Sequence, residues 1–245
     1  MKRIFVPVEN ISDKIITIKG SDVHHLKNVL RKKAKDRLDI CSGGFSFVCE
    51  IKEISNKSIK LTILEKSKIN EDTNIRIRLF QAIPKGKILE EIMRKATELG
   101  VYEFIPIITE RGSVKYSSEE GEKKLDRWQK IISETSKKTG IHSQMKIKSP
   151  IKISQIPGHI PDKNETKLVF WESETTNSLK DVLSGVKKEL PLNIIIGPEG
   201  GFSIKEINML KDWKFESVSL GKRIYTVETA TIVAISNILF YFESQ

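Results

Sequence analysis

Two hydrophobic rhythms divide the chain. Up to about residue 70, apolar positions come in short, partly alternating runs: Ile4–Val6, Ile15–Ile18, Arg37–Cys41, Phe45–Ile51 and Ser58–Leu64. Alternation over such lengths predicts half-buried strands, and Ser42-Gly43-Gly44 predicts a hairpin between the third and fourth. Short strands with turn signals predict a small β-barrel. One helix interrupts them, from about Asp22 to Leu30, with Val23, Leu26, Val29 and Leu30 on one face. Lys66 to Asn74 is polar and charged and reads as a linker.

Beyond it, strand and helix patterns alternate. Ile75–Ile83 is a strand ended by Pro84. Lys85–Leu99 is a helix with Ile88, Leu89, Ile92, Met93, Ala96 and Leu99 inward, and Gly100 is its stop. Phe104–Ile108 is a strand whose Pro106 suggests an edge or bulge. Glu122–Lys138 is a helix with Leu125, Trp128, Ile131 and Ile132 inward, stopped by Gly140, and residues 141–165 read as loop. Strands Lys167–Trp171, Leu192–Ile196 and Ser217–Leu220 then alternate with helices near Ser178–Lys188, Ser203–Trp213 and Glu228–Phe242. That order predicts a mostly parallel sheet covered by helices, so the fold class is α/β with a β-rich domain at residues 1–70 and a second domain at 71–245.

Within the second domain, Asn193 to Ile207 is the most informative stretch. A buried strand turns through Gly197, Pro198, Gly200 and Gly201, and enters a helix at Ser203, where Ser203 and Glu206 form a capping box. Ligands of α/β proteins sit outside the carboxyl ends of strands. The glycines flanking Glu199 leave room for one, although a bare strand-to-helix turn fits the same residues. The spacing is neither that of a phosphate-binding loop nor that of a dinucleotide fingerprint. Ser219 to Ala230 repeats the design: strand, Gly221, loop, helix. If the two strands are neighbours, both loops lie on one sheet edge, and a flat ligand fits between their backbone groups.

Charge sharpens the picture. Residues 1–70 hold 15 basic and 8 acidic side chains, a net +7; the rest hold 27 and 24, a net +3. A basic excess concentrated in one domain suits a polyanion such as nucleic acid, against the simpler reading of solvating lysines. Arg31-Lys32-Lys33-Ala34-Lys35 follows the first helix, where cations either complement the helix dipole or meet phosphates. Cys41 and Cys49 flank the Gly43-Gly44 turn and are placed to face each other across it, yet two thiols do not make a disulfide framework. The scattered histidines predict no metal site. The longest apolar tract, Ala230–Phe242, is short of the about 20 residues a membrane span needs. A soluble, cytoplasmic protein is expected.

Gly197-Pro-Glu-Gly-Gly-Phe-Ser203 with Glu206, then Leu220-Gly-Lys-Arg-Ile224 and Glu228-Thr-Ala230, resembles the cofactor-binding region of SPOUT-class rRNA methyltransferases, and within them the family that methylates N3 of a uracil in 16S rRNA. Arg3-Ile-Phe5, Asp22-Val-His-His-Leu-Lys-Asn-Val-Leu-Arg31, Lys95–Val101, Pro106, Thr109-Glu-Arg111 and Arg127-Trp128 agree in order and spacing, so the resemblance spans almost the whole chain. It implies an N-terminal PUA-like β-barrel for RNA, a C-terminal α/β domain with a trefoil knot in about residues 168–240, and a homodimer. S-adenosylmethionine is the implied cofactor, held by Phe170, Trp171, Glu172, Ile196, Gly197, Pro198, Glu199, Gly200, Leu220, Gly221, Ile224, Tyr225, Thr226 and Thr229. The implied RNA contacts on the small ribosomal subunit are Arg3, His24, His25, Arg31, Lys32, Lys33, Arg111 and Lys138.

Two stretches depart from the family pattern. Thr226 stands where the family usually has an arginine, and in Glu134–Ile141, Lys138 replaces a glutamine and Ile141 an arginine. Arg223, Lys137 and Lys138 are the candidate substitutes for the lost charge. Methyl transfer to a ring nitrogen needs positioning, loss of the N3 proton and stabilisation of charge on the uracil carbonyls. Glu199, Thr226 and Arg223 are the candidate catalytic residues, although Glu199 fits a turn residue bonding nearby amides better than a general base. With both cysteines in the first domain, a cysteine-adduct methylation at carbon 5 is disfavoured. A methyltransferase acting on another RNA position, or a non-catalytic RNA-binding assembly factor, is the alternative.

Overall fold

The computed structural model describes residues 4–68, 75–112, 118–139, 141, 144–187 and 189–243, apart from the side chains of 21, 118–120 and 122. It divides into two compact units, Met1–Asp72 with Ser136–Ser143, and Thr73–Thr135 with Gln144–Gln245. The expected Arg3 contact and the Gly140 stop lie outside the described residues.

The first unit is a six-stranded sheet built around one apolar cluster. Its strands are β1 (Ile4–Phe5), β2 (Ile11–Ser12), β3 (Ile15–Lys19), β4 (Arg37–Ser42), β5 (Phe45–Ile54) and β6 (Ser58–Lys68), in the order β1-β4-β5-β6-β3-β2. Alternate residues such as Ile16, Ile18, Leu38, Ile40, Phe47, Cys49, Ile59 and Leu61 point into the cluster. β6 runs to Lys68, so the supposed linker begins as strand: Lys66 pairs with Phe47, and its ammonium sits 4.0 Å from the Phe45 ring centroid. The cysteines do not face each other. Cys41 lies opposite Ser46 and Cys49 opposite Leu38. Both are buried and neither forms a disulfide, and burial, with Asp39 adding, pushes the Cys49 thiol up to about 12.

The helix α1 begins at Ser21–His24 and continues over His25–Val29 as a π-turn, with the Leu30 amide bonded to the His25 carbonyl. The wider turn changes the helical phase. Val23 and Leu26 therefore stay buried, while Val29 and Leu30, expected inward, are 60% and 42% exposed.

The second unit is a parallel sheet of seven strands: β7 (Ile77–Ala82), β8 (Glu103–Ile108), β9 (Lys146–Ile147), β10 (Ile151–Lys152), β11 (Lys167–Phe170), β12 (Leu192–Ile196) and β13 (Glu216–Val218). The order is β10-β8-β7-β12-β11-β13, with β9 also on β8. Side chains alternate between two apolar clusters. Leu79, Phe104, Leu168 and Ile194 face α2 (Ile88–Glu98), α3 (Ser118–Thr139), α4 (Leu179–Leu183) and α6 (Val227–Glu243). Phe80, Ile105, Val169 and Ile195 face α5 (Ile204–Asp212) and the 3-10 turn at Ile153–His159. Trp128, Ile131 and Ile132 of α3 are buried as expected, while Ile88, at the first turn of α2, is partly exposed. Residues 141–165, read as loop, contain β9, β10 and the 3-10 turn. β8 is an inner strand, but β9 covers it at Glu103–Phe104 and β10 at Ile107–Ile108, so Pro106 falls in the gap between them. α4 is shorter than expected.

At the amino ends of these strands lies a buried ionic network. The Arg78 guanidinium donates to Glu103 at 2.6 Å, to Glu165 at 2.5 Å and to Asn193 Oδ1 at 2.8 Å, and Asn193 Nδ2 donates to Glu165 at 2.8 Å. All four residues are buried. Each charge taken from water thus has a bonded partner, the condition for such a cluster to be tolerated.

Candidate active site

The strands carrying the two glycine loops are not direct neighbours: β11 lies between them. Phe170 pairs with Ile196 on one side and with Val218 on the other, so all three strands end at one level. The chain leaves them as three adjacent loops, starting at Trp171, Gly197 and Ser219. The site therefore has three walls, and the middle one is the segment after β11.

In the loop after β12, Gly197 and Pro198 lead into an exposed Glu199-Gly200, and Gly201 has φ +66°, which favours glycine. A Cβ on Gly197 would meet the Phe202 ring at 2.9 Å, and one on Gly201 would collide with the Glu172 carboxylate. Backbone here approaches its neighbours as closely as it can. Ser203 then caps α5, its hydroxyl accepting from the Glu206 amide while Glu206 accepts from the Ser203 amide. Glu206 is buried, and its other oxygen accepts the amide of Glu110, in the loop after β8. The Ser203 hydroxyl donates to the Glu110 carboxylate at 2.7 Å, and Arg111 Nη1 donates to the Gly200 carbonyl at 3.3 Å. Thr109-Glu110-Arg111 is thereby joined to the glycine loop.

The loop after β13 is more open. The Gly221 amide donates to the Ser219 hydroxyl, Arg223 is exposed, and Ile224 is 91% exposed. Thr226 begins α6: its carbonyl accepts the Ala230 amide, and its hydroxyl accepts the Thr229 amide and donates to the Thr229 hydroxyl. That is an N-cap, which explains why a threonine is suited to this position.

The loop after β11 is held on β13. Asn177 Nδ2 donates to the Ser217 carbonyl, the Ser219 amide donates to the Asn177 carbonyl, and Ser178 bridges Ser219 as a parallel pair. Glu174 accepts from the Ser217 hydroxyl, from the Thr176 hydroxyl at 2.6 Å, and from the Thr176 and Asn177 amides. These bonds, Ser217's foremost, bring the Glu174 carboxyl from 4.5 down to about 2.

The residues expected at the cofactor site lie at the ends of β11, β12 and β13, in the loops that follow them and at the start of α6. Phe170 and Ile196 are buried, Glu172, Gly200, Gly221 and Thr229 are exposed, and Trp171, Leu220 and Tyr225 are half-buried. Glu199 accepts the Lys85 amide at 2.9 Å. The expected RNA contacts fall in three places. His24, His25, Arg31, Lys32 and Lys33 lie on α1 and the turn after it, where Asp36 accepts the Lys33 amide and lies 4.0 Å from the Lys32 ammonium. Lys138 is exposed in the last turn of α3, and Arg111 lies beside Gly200. Lys137, a candidate for replacing lost charge, is already paired with Asp22 at 2.7 Å. Glu110 and Glu174 were missed as contributors. The small polar run Thr175-Thr176-Asn177-Ser178 after Glu174 was the available signal. Among the described residues no cluster suits a metal ion, and no helix is long and apolar enough to cross a membrane.

Comparison with known proteins agrees with this layout. Residues 71–239 match the RNA methyltransferase domain family, and residues 18–64 match the RNA methyltransferase PUA domain. The ribosomal RNA small subunit methyltransferase E of Bacillus subtilis is 30% identical over 93% of this chain and 90% of its own length. That of Buchnera aphidicola from Schizaphis graminum is 32% identical over 98% and 96%. A Neisseria gonorrhoeae ribosomal RNA small subunit methyltransferase E, solved with S-adenosylmethionine, superposes with a TM-score of 0.82 at 26% identity, covering 97% of this chain and 96% of that one. A methyltransferase-like protein of Legionella pneumophila, solved with the same cofactor, gives 0.82 at 30% identity over 97% and 96%. With a match over more than half its length and full-length relatives of one kind, the chain belongs to the RNA methyltransferase family that includes the ribosomal RNA small subunit methyltransferases E.

Proposed function

We propose that the protein transfers a methyl group from S-adenosylmethionine to N3 of a specific uridine in the 16S rRNA of the small ribosomal subunit. The observation that carries this reading is the level ending of β11, β12 and β13, which brings three loops of the matched domain together at one sheet edge. The residues suit such a cofactor: without a Cβ, Gly197, Gly200 and Gly201 let the loop pack tightly on Phe202, Arg111 and Glu172, and the turn leaves Glu199 and Gly200 exposed beside the strand ends. When bound, S-adenosylmethionine supplies a methyl group on a sulfonium centre, so the protein needs no covalent nucleophile of its own. The chain's own tasks are to orient the two partners and to stabilise charge on the uracil carbonyls. Arg111, at the glycine loop, and Arg223, in the loop after β13, are the cations offered for that purpose. Glu199 acts through the Lys85 amide, as a positioning group. His24, His25, Arg31, Lys32, Lys33 and Lys138 are proposed to meet rRNA phosphates, and the knot is proposed to lie within residues 168–240.

A homodimer in the cytoplasm completes the reading. Ile224, in the loop after β13, and Phe240, near the end of α6, are 91% and 73% exposed, and a second copy of the chain is proposed to cover them. Sedimentation of the purified protein tests it: Phe240→Glu is expected to shift a dimer to monomer, and a wild-type monomer contradicts it.

A different RNA target, or an assembly factor without turnover, is the second reading, favoured by Thr226 and Ile141. The Thr226 hydroxyl is engaged in capping α6 and offers no cation. Mass mapping of 16S rRNA from a deletion strain separates the readings. Loss of one N3-methyluridine supports the first, and its persistence refutes it. Thr226→Arg shows whether the missing arginine limits turnover.

A further inference from the structure

Glu174 lies outside the glycine loops, yet both its oxygens are engaged. One accepts the Thr176 amide at 2.8 Å, the Thr176 hydroxyl at 2.6 Å and the Asn177 amide at 3.2 Å; the other accepts the hydroxyl of Ser217, which is buried in β13. The side chain therefore joins a turn in the β11 loop to the neighbouring strand. The Trp171 amide donates to the Val218 carbonyl, and the Glu174 amide to the Trp171 carbonyl. Together with the Asn177 and Ser178 contacts to β13, these bonds extend strand-like pairing past the end of the sheet. Trp171 and Glu172 are held between the two ties, and Glu172 is pressed against Gly201. With this clasp the middle wall of the site has one height; without it, a polar loop of eight residues has only its ends fixed.

We infer that Glu174 is a positioning residue, which sets Trp171 and Glu172 against the loops after β12 and β13 and so governs cofactor affinity rather than the methyl-transfer step. The inference rests on the S-adenosylmethionine reading of the site. Glu174 is assigned to positioning and not to cofactor or base contact, because both its oxygens are engaged by its own chain. Its loss raises the cost of ordering the loop on binding, which appears in affinity. Once the loop is ordered, the reacting groups meet as before.

The test compares wild type, Glu174→Ala, Glu174→Gln and Ser217→Ala by calorimetry with S-adenosylmethionine, by steady-state kinetics on small subunits, and by hydrogen exchange of the cofactor-free protein. Glu174→Ala is expected to weaken cofactor affinity and raise its KM by about tenfold, with kcat within about threefold of wild type. Glu174→Gln, which keeps one oxygen for the Thr176 and Asn177 amides, restores part of the loss, and Ser217→Ala shows a smaller loss. Exchange quickens at Thr176, Asn177 and Ser219 while the β12 amides stay protected. Cofactor affinity unchanged in both Glu174→Gln and Ser217→Ala overturns the inference, as does a fall in kcat with KM untouched. If wild type itself fails to bind S-adenosylmethionine, the functional reading falls, while the exchange pattern still reports whether the clasp orders the loop.

Discussion

The Glu199 carboxylate accepts the backbone amide of Lys85 at 2.9 Å, tying the loop after β12 to the loop after its sheet neighbour β7. A glutamine oxygen can accept the same amide, whereas alanine cannot. Glu199→Gln is therefore expected to bind S-adenosylmethionine within about twofold of wild type, and Glu199→Ala to bind less tightly by roughly the worth of one hydrogen bond, about 1 kcal/mol. Titration calorimetry measures both. A general base would behave differently: glutamine would abolish turnover as fully as alanine does.

Glu206 joins the cap of α5 to the Glu110 amide with its two oxygens. Removing a buried acceptor leaves two amides unsatisfied, so Glu206→Ala should destabilise the second unit by roughly 1–3 kcal/mol. Urea unfolding followed by tryptophan fluorescence is the measurement. Glu206→Gln, with one oxygen remaining, should lose less; equal losses would show that only one of the two bonds matters.

Arg78 is bonded to both Glu103 and Glu165 in the buried network. Arg78→Met should cost about 3–5 kcal/mol, because two carboxylates stay buried without it. Combining it with Glu103→Leu and Glu165→Leu should recover most of that loss. A triple variant less stable than the single one would mean that the network contributes net stability.

Glu174 makes a prediction about pH. Its folded value, about 2, lies below its ordinary 4.5, because the Ser217 and Thr176 hydroxyls and the loop amides bond the charged form. A depressed carboxyl contributes stability that is full above its unfolded value and is lost as pH falls through the folded one. The stability difference between wild type and Glu174→Gln should therefore be flat above about pH 5.5 and shrink between 4.5 and 2. Denaturation midpoints across that range check the sign, and a difference that grows on acidification would contradict it.

Much of this fold could be read before the structure. β12 begins and ends where its apolar run does, α5 starts after Ser203, and Trp128, Ile131 and Ile132 face inward. Such features depend on local periodicity and capping, which neighbouring residues specify. The expectations that failed did so where turn geometry shifts the phase or register of a local pattern, or where distant strands pair. The π-turn at His25–Val29 exposes Val29 and Leu30, the hairpin register separates Cys41 from Cys49, and the segment 141–165 acquires β9 and β10 only because β8 offers an edge.

The same division runs through the site. The sequence by itself determined the glycine loop, the capping box and the family, since these lie in contiguous residues at set spacings. Only the tertiary structure decided that β11 stands between the two loop-bearing strands, that Glu199 bonds Lys85, and that Glu174 bonds Ser217. The reason is physical: these partners are 114 and 43 positions apart in the chain, and no local pattern encodes which parallel strand lies beside which.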